Sequence, residues 1–259
     1  VQSGAVTSAR GSVADSPYDG SVTLRTTDGA AAAVHLPEGD EKVAAVRSMF
    51  DTIAPRYDLV NRIMTFRLDV GWRKRAIAAL DLPPGSRVLD LACGTGDMCR
   101  DLATAGHQPV GVDLSFGMLA NARTSAPLVQ GDALRLPVPD SSVDGVSCGF
   151  ALRNFVELEP FLAELGRVVR PGGRIALLEV AEPPNRLLRF GHSLYFGKVV
   201  PWIGGLFSDK AAYRYLPASV AYLPPTPELL DLVRGAGFPD VRHDLLTLQV
   251  AQLIAASRA

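Results

Sequence analysis

The stretch Val88-Leu89-Asp90-Leu91-Ala92-Cys93-Gly94-Thr95-Gly96-Asp97 constrains the fold more than any other part of the 259-residue chain. A short apolar run carries an acid, passes into two glycines separated by one residue, and enters a segment with helical spacing. Glycines there let the backbone turn sharply and approach a ligand, and in an open α/β sheet ligands bind at the carboxyl ends of the strands. The same order recurs downstream. Arg87–Leu91, Pro109–Val112, Leu128–Gln130, Gly145–Cys148 and Arg174–Glu179 read as strands, with helices over Asp97–Ala105, Phe116–Ala122 and Leu158–Val168. A helix over Thr226–Ala236, closed by Gly237, precedes two last strands, Val241–Leu246 and Gln249–Ala255. Parallel neighbours need crossover connections, so this alternation predicts the α/β class: a mostly parallel seven-stranded sheet with helices on both faces.

Outside that frame the chain changes character twice. Residues 1–40 form an N-terminal arm with little aliphatic periodicity; Ser21–Leu36 reads either as a hairpin turning at Thr27-Asp28-Gly29 or as a mobile or weakly docked segment. From Asp40, read as an N-cap, Val43, Val46, Arg47, Phe50 and Ile53 recur at helical spacing, so one domain is expected over 41–259. Residues 183–223 break the alternation with aromatics and with Arg186, Arg189, Lys198 and Lys210, and read as an inserted helical cap. Such a segment suits a groove for a small hydrophobic aromatic molecule, or a peripheral membrane contact.

Composition narrows the partners. With 26 basic and 27 acidic side chains the net charge is −1, which lacks the long-range attraction of a nucleic-acid binder. Three cysteines without C-x-x-C spacing fit neither a disulfide framework nor a zinc site, so no metal and a cytoplasmic setting are expected. No apolar run reaches the roughly 20 residues that cross a bilayer. A homodimer is compatible with the sequence.

Three acids stand at successive strand ends. Asp90 precedes the glycine loop, Asp113 ends the next strand, and Asp132 follows the third in Gly131-Asp132-Ala133. The third glycine of the dinucleotide fingerprint is missing, because Asp97, Met98 and Cys99 follow Gly96. Acid at this loop suits a positively charged ligand instead, such as an amino-acid ammonium beside a sulfonium. Asp113 can accept two ribose hydroxyls, and Asp132 an adenine amine. Each alone reads equally as a solvated loop carboxylate; the ordered set does not.

These residues resemble the class I methyltransferases that use S-adenosylmethionine, whose fold is Rossmann-like. Tyr57-Asp58-Leu59-Val60-Asn61 with Trp72, Leu152-Arg153-Asn154-Phe155, Arg167–Arg174 with Leu178-Glu179, and Tyr213–Ser219 are similar to signatures of the quinone C-methyltransferases of menaquinone and ubiquinone biosynthesis. The resemblance implies S-adenosylmethionine as cofactor, held by Tyr57, Asp90, Ala92, Gly94, Thr95, Gly96, Asp113, Leu114, Met118, Asp132, Ala133 and Gly149. It implies a reduced, demethylmenaquinol-like polyprenyl quinone as acceptor, met by Arg153, Tyr195 and Tyr215. There are departures: Asp69 replaces a common histidine, Val180-Ala181-Glu182-Pro183 replaces F-S-K-P, and Leu246–Val250 lacks a small-residue pair.

A neutral quinone is a poor carbon nucleophile, whereas a hydroquinone that loses a phenolic proton is a good one. Arg153, permanently charged, is the candidate to stabilise that oxyanion or orient a water. Asn154 is the candidate to hold the acceptor hydroxyl, and Asp69 to take the proton. The competing structural readings are an ion pair for Arg153, a helix cap for Asn154, a core position for Tyr57, and for Asp69 a surface ion pair on its own helix. A C- or O-methyltransferase of a polyketide or other secondary metabolite, and a protein that binds the cofactor without catalysis, stay open as alternatives.

Overall fold

The computed structural model describes residues 21–25, 31–35, 38–181, 183, 185, 215 and 219–259, and up to residue 37 the backbone alone. Contacts divide the chain between Leu36 and Pro37. In the first unit β1 (Ser21–Arg25) and β2 (Ala31–His35) pair antiparallel, with Ser21 opposite His35 and Arg25 opposite Ala31. That is the hairpin alternative; the Asp28-Gly29 turn lies outside the described residues, as does most of the expected cap.

The second unit opens with α1 (Gly39–Ile53), α2 (Tyr57–Met64) and α3 (Leu68–Leu80). Asp40 is not the N-cap: Glu38, in extended backbone, takes that place. Asp40 and Glu41 fall in the first turn, where their charge opposes the positive end of the helix dipole. Then come β3 (Arg87–Leu91), α4 (Asp97–Thr104), β4 (Gln108–Asp113), α5 (Phe116–Ala120), β5 (Leu128–Gln130), β6 (Val143–Gly149), α6 (Leu158–Val168) and β7 (Val169–Val180). α7 (Thr226–Gly235), β8 (Asp240–Leu246) and β9 (Ala251–Ser257) close the chain.

The described strands of this second unit form one sheet in the order β5-β4-β3-β6-β7-β9-β8. β5, β4, β3, β6 and β7 are parallel, and β9 runs antiparallel to both β7 and β8. The chain leaves β3 toward β4 on one side and returns to β6 on the other, so β3 and β6 flank the switch point where such sheets open a crevice.

Two apolar cores cover the sheet, and strand periodicity of two assigns residues to them. Ile175, Leu177, Leu89, Leu91 and Ile254 face a core completed by Phe161, Leu162 and Leu165 of α6 and Val233 of α7. Ala176, Leu178, Val88 and Leu253 face the other, with Trp72, Ile77 and Leu80 of α3 and Leu102 of α4.

Several strand boundaries differ from expectation, those of β7 and β9 among them. β7 starts at Val169, which pairs with Val143 before the register shifts to Gly145–Arg174. β9 starts at Ala251 rather than Gln249, because Thr247, Leu248 and Gln249 all have positive φ, 42°, 52° and 68°, and form the turn from β8. Trp72 Nε1 donates to Thr247 Oγ1 at 2.8 Å, tying this turn to α3.

Candidate active site

The glycine loop is fixed by geometry that side chains would obstruct. Gly96 starts α4 at φ 81°, and a Cβ there would lie 2.6 Å from Thr124 Cγ2. Gly111 on β4 gives the loop room: a Cβ on it would meet the sulfurs of Cys93 at 2.8 Å and Cys99 at 2.9 Å. Gly96 itself borders neither cavity of the crevice; it shapes the turn.

Two cavities open at the switch point and share Tyr57, Ala92, Gly94, Gly149 and Phe150. The larger, about 900 Å³, is bordered by Asp113, Leu114, Met118, Asp132 and Ala133. Asp113 is held in place by the loops around it: Gly94 N donates to Oδ2 at 2.7 Å and Ser115 N to Oδ1 at 2.8 Å. Burial raises its pKa, and these donors oppose the rise. Asp132 is exposed, and its Oδ1 accepts from Leu134 N at 2.9 Å, which fixes the loop after β5.

The sequence reading missed the opposite wall. Val43, Val46 and Phe50 of α1 line this cavity; their helical spacing was visible, but not what it faced. Lys42 Nζ donates to Phe155 O at 2.7 Å and sits 3.5 Å from the centre of the Tyr222 ring. Asp51 Oδ1 accepts from Ser115 Oγ at 2.6 Å and Gly117 N at 2.8 Å. α1 is thereby fastened across the crevice near both ends.

The smaller cavity, about 520 Å³, is polar and is bordered by Asp58, Asn61, Arg73, Asp90, Thr95 and Asp97. Asp90 is 1% exposed and accepts from Ser147 Oγ at 2.8 Å and Cys99 Sγ at 3.3 Å. Burial dominates, pushing its pKa up to about 7. Thr95 Oγ1 donates to Asp58 Oδ1 at 2.5 Å. Arg73 was not singled out in the sequence, yet it is the cation of this cavity. Its Nε reaches Asp101 at 2.7 Å, its Nη2 lies 3.4 Å from Asp97, and its Nη1 pairs with Asp69.

Asp69 therefore does not stand as a proton acceptor for the substrate. It is fully buried and borders neither cavity; Arg73 holds one oxygen and Thr65 Oγ1 donates to the other at 2.6 Å. The ion-pair alternative describes it, although the pair is buried rather than on the surface. Arg153 also takes the ion-pair alternative, and it too borders neither cavity. Its side chain, 7% exposed, pairs with buried Glu179, while Nη1 also donates to Phe150 O at 2.8 Å and Nε to Ser219 Oγ at 3.1 Å.

Asn154 does line the larger cavity and does not cap α6, whose N-cap is Glu157. Its Oδ1 accepts from Tyr215 Oη at 3.3 Å, which leaves its amide N–H groups as donors for the cavity. Tyr57 touches both cavities, and burial pushes its pKa up to about 12. Tyr195 lies outside the described residues. Among the described residues no group of His, Cys, Asp and Glu could hold a metal ion, and no helix is long and apolar enough to cross a membrane.

Over residues 38–257 the sequence matches the ubiE/COQ5 methyltransferase family. It is 43% identical over 221 residues to the demethylmenaquinone methyltransferase of Thermus thermophilus, covering 81% of this chain and 100% of that one. It is 38% identical over 230 residues to the ubiquinone/menaquinone biosynthesis C-methyltransferase UbiE of Geobacter sulfurreducens, covering 84% and 90%. Among solved structures, a SAM-dependent methyltransferase from Thermotoga maritima is similar with a TM-score of 0.58 at 19% identity, over 82% of this chain and 99% of that one; such a likeness speaks for the fold alone. The family match runs from the N-cap of α1 to the last residue of β9 and takes in every described element that lines the crevice, so this chain belongs to the ubiE/COQ5 methyltransferase family and is a methyltransferase.

Proposed function

We propose that the chain transfers the methyl group of S-adenosylmethionine to a ring carbon of a reduced polyprenyl quinone of the demethylmenaquinol type. The observation that carries this is the pair of cavities meeting at Tyr57, Gly149 and Phe150, one apolar and one charged. The donor set fits the cofactor in two parts. Asp113, half-buried, presents oxygens suited to a ribose diol, with buried Met118 and Ala133 as apolar neighbours for a base. At the other end Arg73 suits a carboxylate, and Asp90 with Asp58 an ammonium.

When bound, the cofactor supplies an electrophilic methyl on a sulfonium. The chain's own work is to orient the acceptor, exclude water and steady the oxygen that becomes anionic. Asn154 is the donor facing the acceptor, because Tyr215 occupies its carbonyl. Loss of the phenolic proton to solvent would place electron density on the neighbouring ring carbon, to which the bound cofactor would supply its methyl with cleavage of the carbon–sulfur bond; loss of the ring proton to solvent would then restore the aromatic ring. Val43, Val46, Phe50 and Phe155 supply an apolar wall for the aromatic ring.

The test is an acceptor panel with deuterated-methyl cofactor, read by mass spectrometry, using demethylmenaquinol, its oxidised quinone and simple phenols. Labelled product is expected from the quinol alone. Equal labelling of the oxidised quinone, or transfer only to the phenols, overturns the proposal.

A further inference from the structure

We infer that Glu179 is a positioning residue for Arg153, and that Ser219 completes the same clamp from near the end of the inserted segment, so that the guanidinium is held oriented and charge-compensated directly behind Asn154 in the wall of the larger cavity. The inference rests on the quinol-methylating reading above and names machinery that reading lacks. Both oxygens of Glu179 are committed to this corner of the site: Oε1 to Arg153 Nη1 and to Val180 N at 2.8 Å, Oε2 to Arg153 N at 3.3 Å. Glu179 grips the main chain and the side chain of one residue. The fork is fixed from two further directions, by Phe150 O after β6 and by Ser219 Oγ. Three of the four segments that carry the family-like signatures, around Arg153, Glu179 and Ser219, thus meet in one hydrogen-bonded knot beside Asn154.

Charge bookkeeping separates positioning from mere support. The groups that sense Arg153 are Glu179 on β7, Tyr57 on α2, Cys148 on β6 and Tyr215, and the guanidinium favours ionisation of all three neutral groups. With Glu179 in place the pair is neutral overall. Removing the carboxylate leaves a buried cation, which lowers the pKa of every phenol near it, the acceptor's included. The tyrosines report the uncompensated charge itself, whereas a matching displacement of the rising limb of kcat reports that the acceptor senses it, which a structural support alone does not produce.

The test compares wild type with Glu179→Gln, Glu179→Asp and Ser219→Ala, using demethylmenaquinol turnover from pH 6 to 10, cofactor KM, and tyrosinate absorbance during alkaline titration. For Glu179→Gln we expect kcat to fall about tenfold or more, cofactor KM to stay within about twofold, and both the rising limb of kcat and the tyrosinate transition to move to lower pH. Glu179→Asp recovers part of kcat, and Ser219→Ala loses a smaller part in kcat alone. If Glu179→Gln does not fold, the other two variants decide. Unchanged kcat in either overturns the inference, as does a parallel loss of kcat and cofactor affinity. Should wild type methylate no quinol, the functional reading fails by itself, and the tyrosinate titration still reports whether Glu179 compensates Arg153; an unmoved transition overturns the inference.

Discussion

Single residues set the protonation chemistry of the crevice, and Asp90 is the most exposed to test. Its folded pKa of about 7 lies above the ordinary carboxylate value because burial disfavours the charge. The sign follows: between about pH 4 and pH 7 the folded state binds the proton more tightly than the unfolded state, so stability from this group is complete below that range and is lost as pH rises through 7. Ligand binding runs the other way. An ammonium beside Asp90 needs the carboxylate ionised, so affinity for S-adenosylhomocysteine should improve from pH 6 to pH 8, and Asp90→Asn should flatten that slope. A wild-type affinity independent of pH, measured by calorimetry, removes the ammonium from Asp90. Strand-end acids were legible in the sequence because each announces its place by the apolar run before it. Asp69 was misassigned because sequence gives residue type but not partner: it lies one helical turn from an arginine whose direction no pattern reveals, just as Glu179, the partner of Arg153, is distant along the chain.

At the scale of elements, the alternating apolar runs located the central strands and helices within a residue or two, apart from the early start of β7 at Val169, since each core face repeats every second position. The β8–β9 turn was the failure. It uses Thr247, Leu248 and Gln249 at positive φ with no glycine or asparagine to mark it. Leu248 is 70% exposed, so its side chain contributes little burial while its backbone is strained. Leu248→Val should therefore cost about 1 kcal/mol, because a β-branched residue tolerates this region worst. Leu248→Gly should change stability by no more than about 0.5 kcal/mol, relief of strain offsetting the greater freedom of the unfolded chain. Thermal unfolding in which valine matches leucine while glycine destabilises strongly would contradict that.

For the whole molecule, one topological fact organises the rest: the chain reverses direction across the sheet between β3 and β6, and everything chemical in the described residues gathers at that reversal. The sequence showed the glycine-loop side of this crevice because its loops are short and glycine-marked. It showed less of the opposite side, where α1 and Asn154 line the cavity and Tyr215, Glu179 and Ser219 buttress them from segments far apart in the chain. The proposed division of the crevice into an adenosine half and an amino-acid half is open to one direct measurement. Calorimetry compares S-adenosylhomocysteine with methylthioadenosine, which lacks the amino-acid end, on wild type, Asp113→Ala and Arg73→Gln. Asp113→Ala should weaken both ligands alike, by about 1–3 kcal/mol, and Arg73→Gln should weaken the first while sparing the second. Asp113→Ala binding both as tightly as wild type, or Arg73→Gln losing both equally, would contradict the two-part crevice on which the methyl-transfer proposal stands.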